Sequence, residues 1–307
     1  MDIALALGGG GVRGIAHIGV LRTLEKHNFN IKAIAGTSAG GLVGSVYAAG
    51  FSTQKIEDAI KGFDPMHSLN RHPDDLPSLL GLGSIADTLS ELLADCTFDE
   101  LKIPFAATAV SLYNGEEIIP NKGKVLDAVL ATIAVPGVFP SQKIGGRVLI
   151  DGGILDPVPV QVARWLRPDL PVVAVMLHKL PLDYPKDKIP MPIPIPGPST
   201  IVERLTNLRP VQAFKIFSQS FEVASKHLTE LTLQLYKPEV IISPPVGHIG
   251  LLQKIDVEEL VQAGITATEE TLNQIEAQAN WVKKIQRKMK HRVNPEPLPD
   301  YWGNIKD

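Results

Sequence analysis

Two short apolar runs near the start of the chain, Ile3–Leu7 and Ile31–Ala35, constrain the fold most strongly. Ile3–Leu7 is apolar on both alternating faces, which is typical of a strand buried in a parallel sheet, and Ile31–Ala35 predicts a second buried strand. The segment between them, Ile15–His27, has the apolar spacing of a helix, and Ala39–Ala49 predicts a second helix ending before Gly50. A β-α-β-α order within the first 50 residues predicts an α/β fold whose parallel sheet is covered by helices.

The remaining elements predict a single domain over residues 1–307, with chemistry-bearing motifs confined to about residues 3–177. Further strands are predicted at Ile103–Leu112, Glu116–Ile119, Arg147–Ile150, Val172–Leu177 and Glu239–Ile242. Residues 180–198 are rich in proline and predict a long extended loop, while residues 256–292 predict a C-terminal helical region.

Composition excludes several functional classes. A net charge of −3 over 307 residues gives no reason to expect nucleic acid as a partner. The single cysteine, Cys96, excludes an internal disulfide and fits a reducing compartment. The start of the chain has neither the basic segment nor the long apolar run of a secretory signal peptide. No stretch reaches the roughly 18 apolar residues of a membrane-spanning helix. We therefore expect a cytoplasmic protein that meets membranes only at the surface.

The run GTSAG, Gly36–Gly40, lies where the second predicted strand meets the second predicted helix. A serine on such a sharp strand-to-helix turn exposes its Oγ at the carboxyl edge of the sheet, and its neighbours must be small. The helix that follows also points the positive end of its dipole at Ser38, which favours a developing negative charge. Alternatively, Ser38 is only the N-cap of that helix, and the motif alone does not separate the two interpretations.

A glycine loop, GGGGVRG, follows the first strand, and its consecutive glycines can aim backbone N–H groups at an oxyanion. Gly9–Gly14 also satisfies the G-x-G-x-x-G pattern of dinucleotide binding, but the second strand ends without the carboxylate that would hold the ribose. A P-loop is excluded because no Gly-Lys-Ser/Thr follows the glycines. The oxyanion hole is the interpretation that remains.

Asp151, in the run DGG of Asp151–Gly153, is the candidate base for Ser38. An aspartate with an ordinary pKa of about 3.9 is a weak base for a hydroxyl, so this assignment requires a poorly solvated site. The rival arrangement is a triad of Ser38, Asp151 and His248, in the chain order of α/β-hydrolases. The triad interpretation is weakened because α/β-hydrolases place the serine turn after several strands, whereas Ser38 follows only the second predicted strand. His17 is interpreted as a packed or partly exposed helix residue.

These three motifs, in this order, resemble the patatin-like phospholipase family. The pattern of that family is a glycine loop, a GxSxG elbow one helix later, and Asp-Gly-Gly more than 100 residues further on, here Gly9–Gly14, Gly36–Gly40 and Asp151–Gly153. Ala131–Gly153 is similar to the family's stretch leading into its aspartate. The extra glycine at Gly8 is a departure that keeps every required position.

The resemblance implies a three-layer α/β/α patatin-like fold with a central, mostly parallel sheet, and a hydrolase with a Ser–Asp dyad. Ser38 would be the nucleophile and Asp151 the proton acceptor. The oxyanion hole would involve Gly9, Gly10 and Gly11, with Arg13 supporting the loop. Motif-supporting positions would be Gly14, Gly36, Gly40, Gly152 and Gly153, and neither a metal nor another cofactor is implied.

The expected substrate is a phospholipid or lysophospholipid ester met at a bilayer surface, with the oligomeric state left open. Two segments could contact the bilayer: Met66–Leu82, and the basic run Lys283–Arg292 with Trp281, Ile285 and Met289 on one helical face. That apolar face could equally pack against the core, and residues 180–198 could cover the site. A lipid-binding or adaptor protein with an incidental hydrolase site is the alternative function from another class.

Overall fold

The structure, a computed structural model, describes residues 1–62, 75–177, 208–250, 253, 256–279, 285, 287 and 289. Its strands are β1 (Asp2–Leu7), β2 (Asn30–Gly36), β3 (Phe105–Ala107), β4 (Ala109–Ser111), β5 (Glu117–Ile118), β6 (Gln142–Ile144), β7 (Arg147–Asp151), β8 (Val172–Val175) and β9 (Val240–Ile242). Its α-helices are α1 (Ala16–Lys26), α2 (Ala39–Ala48), α3 (Thr53–Lys61), α4 (Gly83–Leu93), α5 (Val125–Thr132), α6 (Val160–Leu166), α7 (Arg209–Tyr236) and α8 (Val257–Glu276). Short 3-10 turns at Gly11–Ile15 and Gly152–Ile154 carry two of the motifs.

Five strands form a parallel central sheet in the order β3-β2-β1-β8-β9. The order has β1 in the middle, so the turns after β1 and β2 open side by side at the carboxyl edge of the sheet, where α/β proteins bind ligands. A second sheet is antiparallel, in the order β5-β4-β7-β6. The prediction of a central, mostly parallel sheet is confirmed.

The two faces of the central sheet differ in side-chain size. One face is lined by alanines, among them Ala4, Ala6 and Ala33, and α6 packs against them. The other face carries larger side chains, such as Leu5 and Leu7, beneath α1, α2 and α8. Helices therefore cover both faces, which gives the three layers that the sequence predicts.

Helices α1 and α8 cross at two glycines. A side chain at Gly19 would overlap the carbonyl of Val261, and one at Gly264 would overlap the carbonyl of Ala16. The C-terminal helix therefore packs directly on the first helix, within the same core as the central sheet. A single domain over the whole chain stays a prediction, because residues 178–207 lie outside the described residues.

Two parts of the fold differ from the sequence prediction. The predicted strand Ile103–Leu112 is split at Thr108, where β3 ends in the parallel sheet and β4 begins in the antiparallel one. The 28-residue helix α7 was not predicted. Its most buried side chains are polar and several of its large apolar side chains are exposed, although Leu233 and Tyr236 pack against the core. The inward apolar stripe by which a surface helix is recognised is therefore weak.

Candidate active site

Ser38 occupies the strained turn between β2 and α2. Its backbone has φ 52° and ψ −124°, a left-handed region that side chains rarely adopt and that costs on the order of 1–3 kcal/mol. Its amide donates to the Thr132 hydroxyl at 2.9 Å, which holds the turn against α5. Two residues on, Gly40 lies so close to the Leu7 carbonyl that no Cβ would fit. The turn is thus fixed on both sides of the serine.

Asp151 lies at the end of β7 with its carboxyl directed at Ser38. The Ser38 hydroxyl donates a hydrogen bond to this carboxylate, and the Gly153 amide donates another at 2.7 Å. Burial raises the pKa of Asp151 to about 7, and these two hydrogen bonds oppose the rise. A carboxylate with a pKa near 7 can accept a proton from a hydroxyl far more readily than an exposed aspartate can.

A threonine pair joins the serine turn to the Asp151 turn. The Thr37 hydroxyl lies 2.8 Å from the Thr108 hydroxyl and donates to the Asp156 carbonyl at 2.8 Å. On the other side, β7 pairs with β4 so that Asp151 faces Ala109. The separation of Ser38 and Asp151 is therefore set by buried contacts between the two sheets.

The glycine loop presents two amides without an acceptor in the described part of the chain, those of Gly10 and Gly11. The Gly8 amide continues the sheet by donating to Val175, and the Gly9 amide donates to the Pro157 carbonyl at 2.9 Å. The first amide of α2, at Ala39, has no intrahelical acceptor because it starts the helix. Two loop amides and a helix N-terminus near Ser38 form a place where an oxyanion can be stabilised.

His17 supports the loop from beneath. The ring is fully buried, and its Nε2 lies 2.8 Å from the Gly8 carbonyl. Burial lowers the pKa of His17 to about 4, so the ring is neutral at physiological pH and Nε2–H donates to that carbonyl. The interpretation of His17 as a packed helix residue agrees with this position.

Arg13 anchors the loop to the C-terminal third of the chain. Its guanidinium is buried and donates to Glu222 of α7 at 2.7 Å and to the Ile249 carbonyl. Lys226, one turn further along α7, lies 3.5 Å from the same Glu222 oxygen. Buried charges persist in proteins when they are paired in this way.

The comparison with protein families matches residues 5–164 to the family described as Patatin-like phospholipase. The match covers more than half of the chain and includes the glycine loop, the serine turn and Asp151. The chain belongs to this family. The family assignment made from the three motifs is confirmed.

Among curated relatives of this patatin-like chain is an uncharacterized NTE family protein of Mycobacterium tuberculosis, 35% identical over 57% of this chain and 49% of the relative. Another from the same species is 27% identical over 88% of this chain and 46% of the relative. Lysophospholipase NTE1 of Eremothecium gossypii is 29% identical over 59% of this chain and 12% of its own length. The chain spans about half the length of the curated mycobacterial relatives it matches.

Among solved structures, VipD from Legionella pneumophila superposes with a TM-score of 0.51 at 14% identity, covering 90% of this chain and 66% of VipD. At that identity the likeness concerns the fold alone.

The structure joins Ser38 to Asp151 by a hydrogen bond and places the glycine loop against the serine turn, where a Cβ at Gly9 would lie 3.1 Å from the Ser38 Cβ. It does not leave Gly9 free to donate, because the Pro157 carbonyl already accepts from its amide. The supporting glycines lie where close packing requires them. Added Cβ atoms at Gly14, Gly36, Gly152 and Gly153 would meet Ala39, the backbone of Gly40 and Gly41, Thr108 and the Asp151 carboxylate respectively.

His248 is not joined to the other members of the rival triad. Its side chain is exposed in the loop after β9, and in the described part of the chain it makes no hydrogen bond to Asp151 or Ser38. The geometry therefore favours the direct Ser–Asp contact over the triad.

Sequence reasoning missed three contributors to the site: the Thr132 hydroxyl, the Ala39 amide and Glu222. Ala39 was signalled by the elbow itself, since the amide after the nucleophile commonly completes the oxyanion hole. Thr132 and Glu222 carry no local signal, because each reaches the site only through packing of α5 and α7.

The membrane-contact segments predicted from the sequence fall largely outside the described residues. This applies to residues 66–74 of the first segment and to Trp281. In residues 75–82 of the first segment Leu79 is exposed but Leu80 and Leu82 are buried, and in the second segment Ile285 and Met289 are exposed. No helix of the described part is long and apolar enough to cross a bilayer.

Proposed function

We propose that this chain is a serine acyl hydrolase that cleaves carboxylic ester bonds of phospholipids or lysophospholipids through Ser38 and Asp151. The observation that carries the proposal is the hydrogen bond from the Ser38 hydroxyl to a buried carboxyl with a pKa of about 7. Family membership and the lysophospholipase named among the relatives support a lipid ester as the substrate.

In the first half-reaction, Ser38 Oγ bonds to the acyl carbon while its proton passes to the Asp151 carboxylate. The carbonyl oxygen becomes an oxyanion, which the amides of Gly10, Gly11 and Ala39 stabilise. Collapse of this intermediate breaks the ester bond, and the leaving alkoxide takes the proton from Asp151. The products are an alcohol, such as a lysolipid or a glycerophosphodiester, and an acyl-Ser38 ester.

In the second half-reaction, a water molecule attacks the acyl-Ser38 ester and gives a proton to Asp151. The same amides stabilise the second oxyanion, and its collapse releases the fatty acid as Ser38 regains a proton. Asp151 thus acts as base and then as acid in each half, a cycle suited to a pKa near neutrality.

The test is labelling of the purified protein by a fluorophosphonate probe, followed by a panel of diacylphospholipids and lysophospholipids. We expect the wild-type protein to be labelled and to release fatty acid, and Ser38→Ala to do neither. Since only an activated serine reacts with the probe, an unlabelled wild-type protein that still binds lipid would overturn the proposal. That outcome would favour the lipid-binding or adaptor function.

A further inference from the structure

Helix α7 differs from an ordinary surface helix in what it buries and what it exposes. Its most buried side chains are polar: Glu222, Lys226, Thr229 and Thr232 are all less than a tenth exposed. Its outer side carries four large apolar side chains: Ile216, Phe217, Leu231 and Leu235 are 64%, 54%, 60% and 70% exposed. A surface helix of a soluble domain places such residues toward the core, so an outward apolar side indicates an apolar neighbour.

The first half of α7 lies beside the segment that follows α5, the helix that holds the serine turn. The Phe214 ring lies against Gly137, in the segment that follows α5, whose Thr132 hydroxyl holds the Ser38 amide. The Gly137 carbonyl accepts from the Leu79 amide, which brings a further exposed leucine to this edge.

Two further exposed leucines belong to segments next to this region. Leu155 is 41% exposed in the turn that begins at Asp151, and Leu208 is 50% exposed at the N-terminus of α7. We call the set of Leu79, Leu155, Leu208, Ile216 and Phe217 the apolar rim. These five residues come from three separate parts of the chain, each connected to the residues around Ser38 and Asp151.

The charge around the rim indicates what it contacts. From Arg209 to Phe221, α7 contains two basic residues, Arg209 and Lys215, and no acidic residue. Apolar side chains flanked by basic ones suit the interface of a bilayer that contains anionic lipids, where each basic residue near the surface adds attraction.

We propose that the apolar rim is the surface by which this protein docks on an anionic lipid bilayer, with the Ser38 entrance facing the headgroups. The inference rests on the proposed function for its role, since docking there would bring ester bonds to Ser38. The polar side of α7 strengthens the link, because Glu222 ties the same helix to Arg13 of the glycine loop.

The test is co-sedimentation with phosphatidylcholine vesicles with and without phosphatidylglycerol, using Ser38→Ala protein so that no lipid is consumed. We expect binding that increases with phosphatidylglycerol. The double change Ile216→Ser and Phe217→Ser should weaken binding about tenfold or more, because two apolar side chains no longer enter the interface. Circular dichroism checks that the variants are folded.

The matched control is Leu231→Ser and Leu235→Ser, which removes the same number of exposed apolar side chains from the same helix. These residues lie about 20 Å or more along the helix from Phe217. They are close to the end of α7 that Arg164 holds through the Tyr236 and Lys237 carbonyls. We expect the control to bind vesicles within about twofold of the parent protein.

Three results would overturn the proposal: unchanged binding by the rim variant, equal losses in both variants, or a rim variant that changes only the oligomeric state. The last result would assign the surface to a second copy of the chain. Hydrolysis of a soluble short-chain ester by the wild-type protein is measured separately. Rim-dependent binding without any such hydrolysis would retain the docking surface and reject the proposed function.

Discussion

Asp151 and Arg13 are both buried beside the same loops, yet the protein stabilises their charges in opposite ways. Arg13 is paired with the Glu222 carboxylate and donates to a carbonyl. Asp151 accepts hydrogen bonds from Ser38 and Gly153, and no basic side chain of the described residues contributes to its pKa. A paired buried charge is held in one state, whereas an unpaired one titrates near neutrality. The difference separates a loop support from the base that we propose.

Replacing the unpaired carboxyl has the largest expected effect on rate. Asp151→Asn should lower kcat/KM for a soluble ester by about 10²–10⁴-fold, because no base remains to accept the Ser38 proton. At pH 8 the variant should be thermally more stable than the wild type, because burial raises the folded-state pKa of Asp151 to about 7 and the wild type loses stability as the pH rises from about 4 to about 7. Near pH 4 the two proteins should be equally stable. Activity above a tenth of the wild-type rate would show that Asp151 is not the base.

Removing the carboxylate that pairs with Arg13 should lower the stability of the fold. Glu222→Gln leaves the Arg13 guanidinium buried without its carboxylate, so we expect a loss of about 3–5 kcal/mol in the free energy of unfolding by denaturant. Glu230→Gln, on the same helix, is the control and should change stability by less than about 0.5 kcal/mol. Similar unfolding free energies for both variants would contradict the anchoring of the loop by α7.

The pH dependence of ester hydrolysis by the wild-type protein provides a third test of the same contrast. Asp151 accepts a proton only when ionised, and burial raises its pKa to about 7. Therefore kcat/KM should fall about tenfold per pH unit below pH 7 and level off above it. Stopped assays with a soluble ester between pH 5 and 9 measure this. A profile that stays flat down to pH 5 would show that the carboxyl at work has an ordinary pKa.

The smallest expected effect belongs to His248. Because its side chain is exposed and apart from Asp151, His248→Ala should change kcat/KM by less than about twofold. Steady-state kinetics on the soluble ester decides this. A loss of a hundredfold or more would restore the triad.

Much of the fold could be predicted because its first half is regular. Strands β1 and β2 are short and mostly apolar, and the glycine and serine motifs mark where they end. Helix α7 escaped prediction because its most buried side chains are polar, among them Glu222, which is paired with Arg13. A helix is recognised in a sequence by the periodic spacing of its apolar residues. A helix that buries polar side chains against a charged partner does not produce that spacing.

The candidate site was predictable where a motif dictates backbone shape, and not where packing decides. Ser38 and Asp151 follow from their turns. The Gly9 amide donates to the Pro157 carbonyl, while the amides of Gly10 and Gly11 lack an acceptor in the described residues. This difference depends on how the segment after Asp151 folds back on the glycine loop, which no motif encodes. Thr132 likewise depends on the placement of α5.

Two acceptors of the Arg13 guanidinium lie outside the segment by which the family is recognised. The family match ends at residue 164, whereas Glu222 and Ile249 follow it by 58 and 85 residues. A fragment that stops at residue 164 would keep all three motifs and lose both of these contacts to the glycine loop. The residues that identify the family and the residues that hold its loop in place are therefore inherited in different parts of the chain.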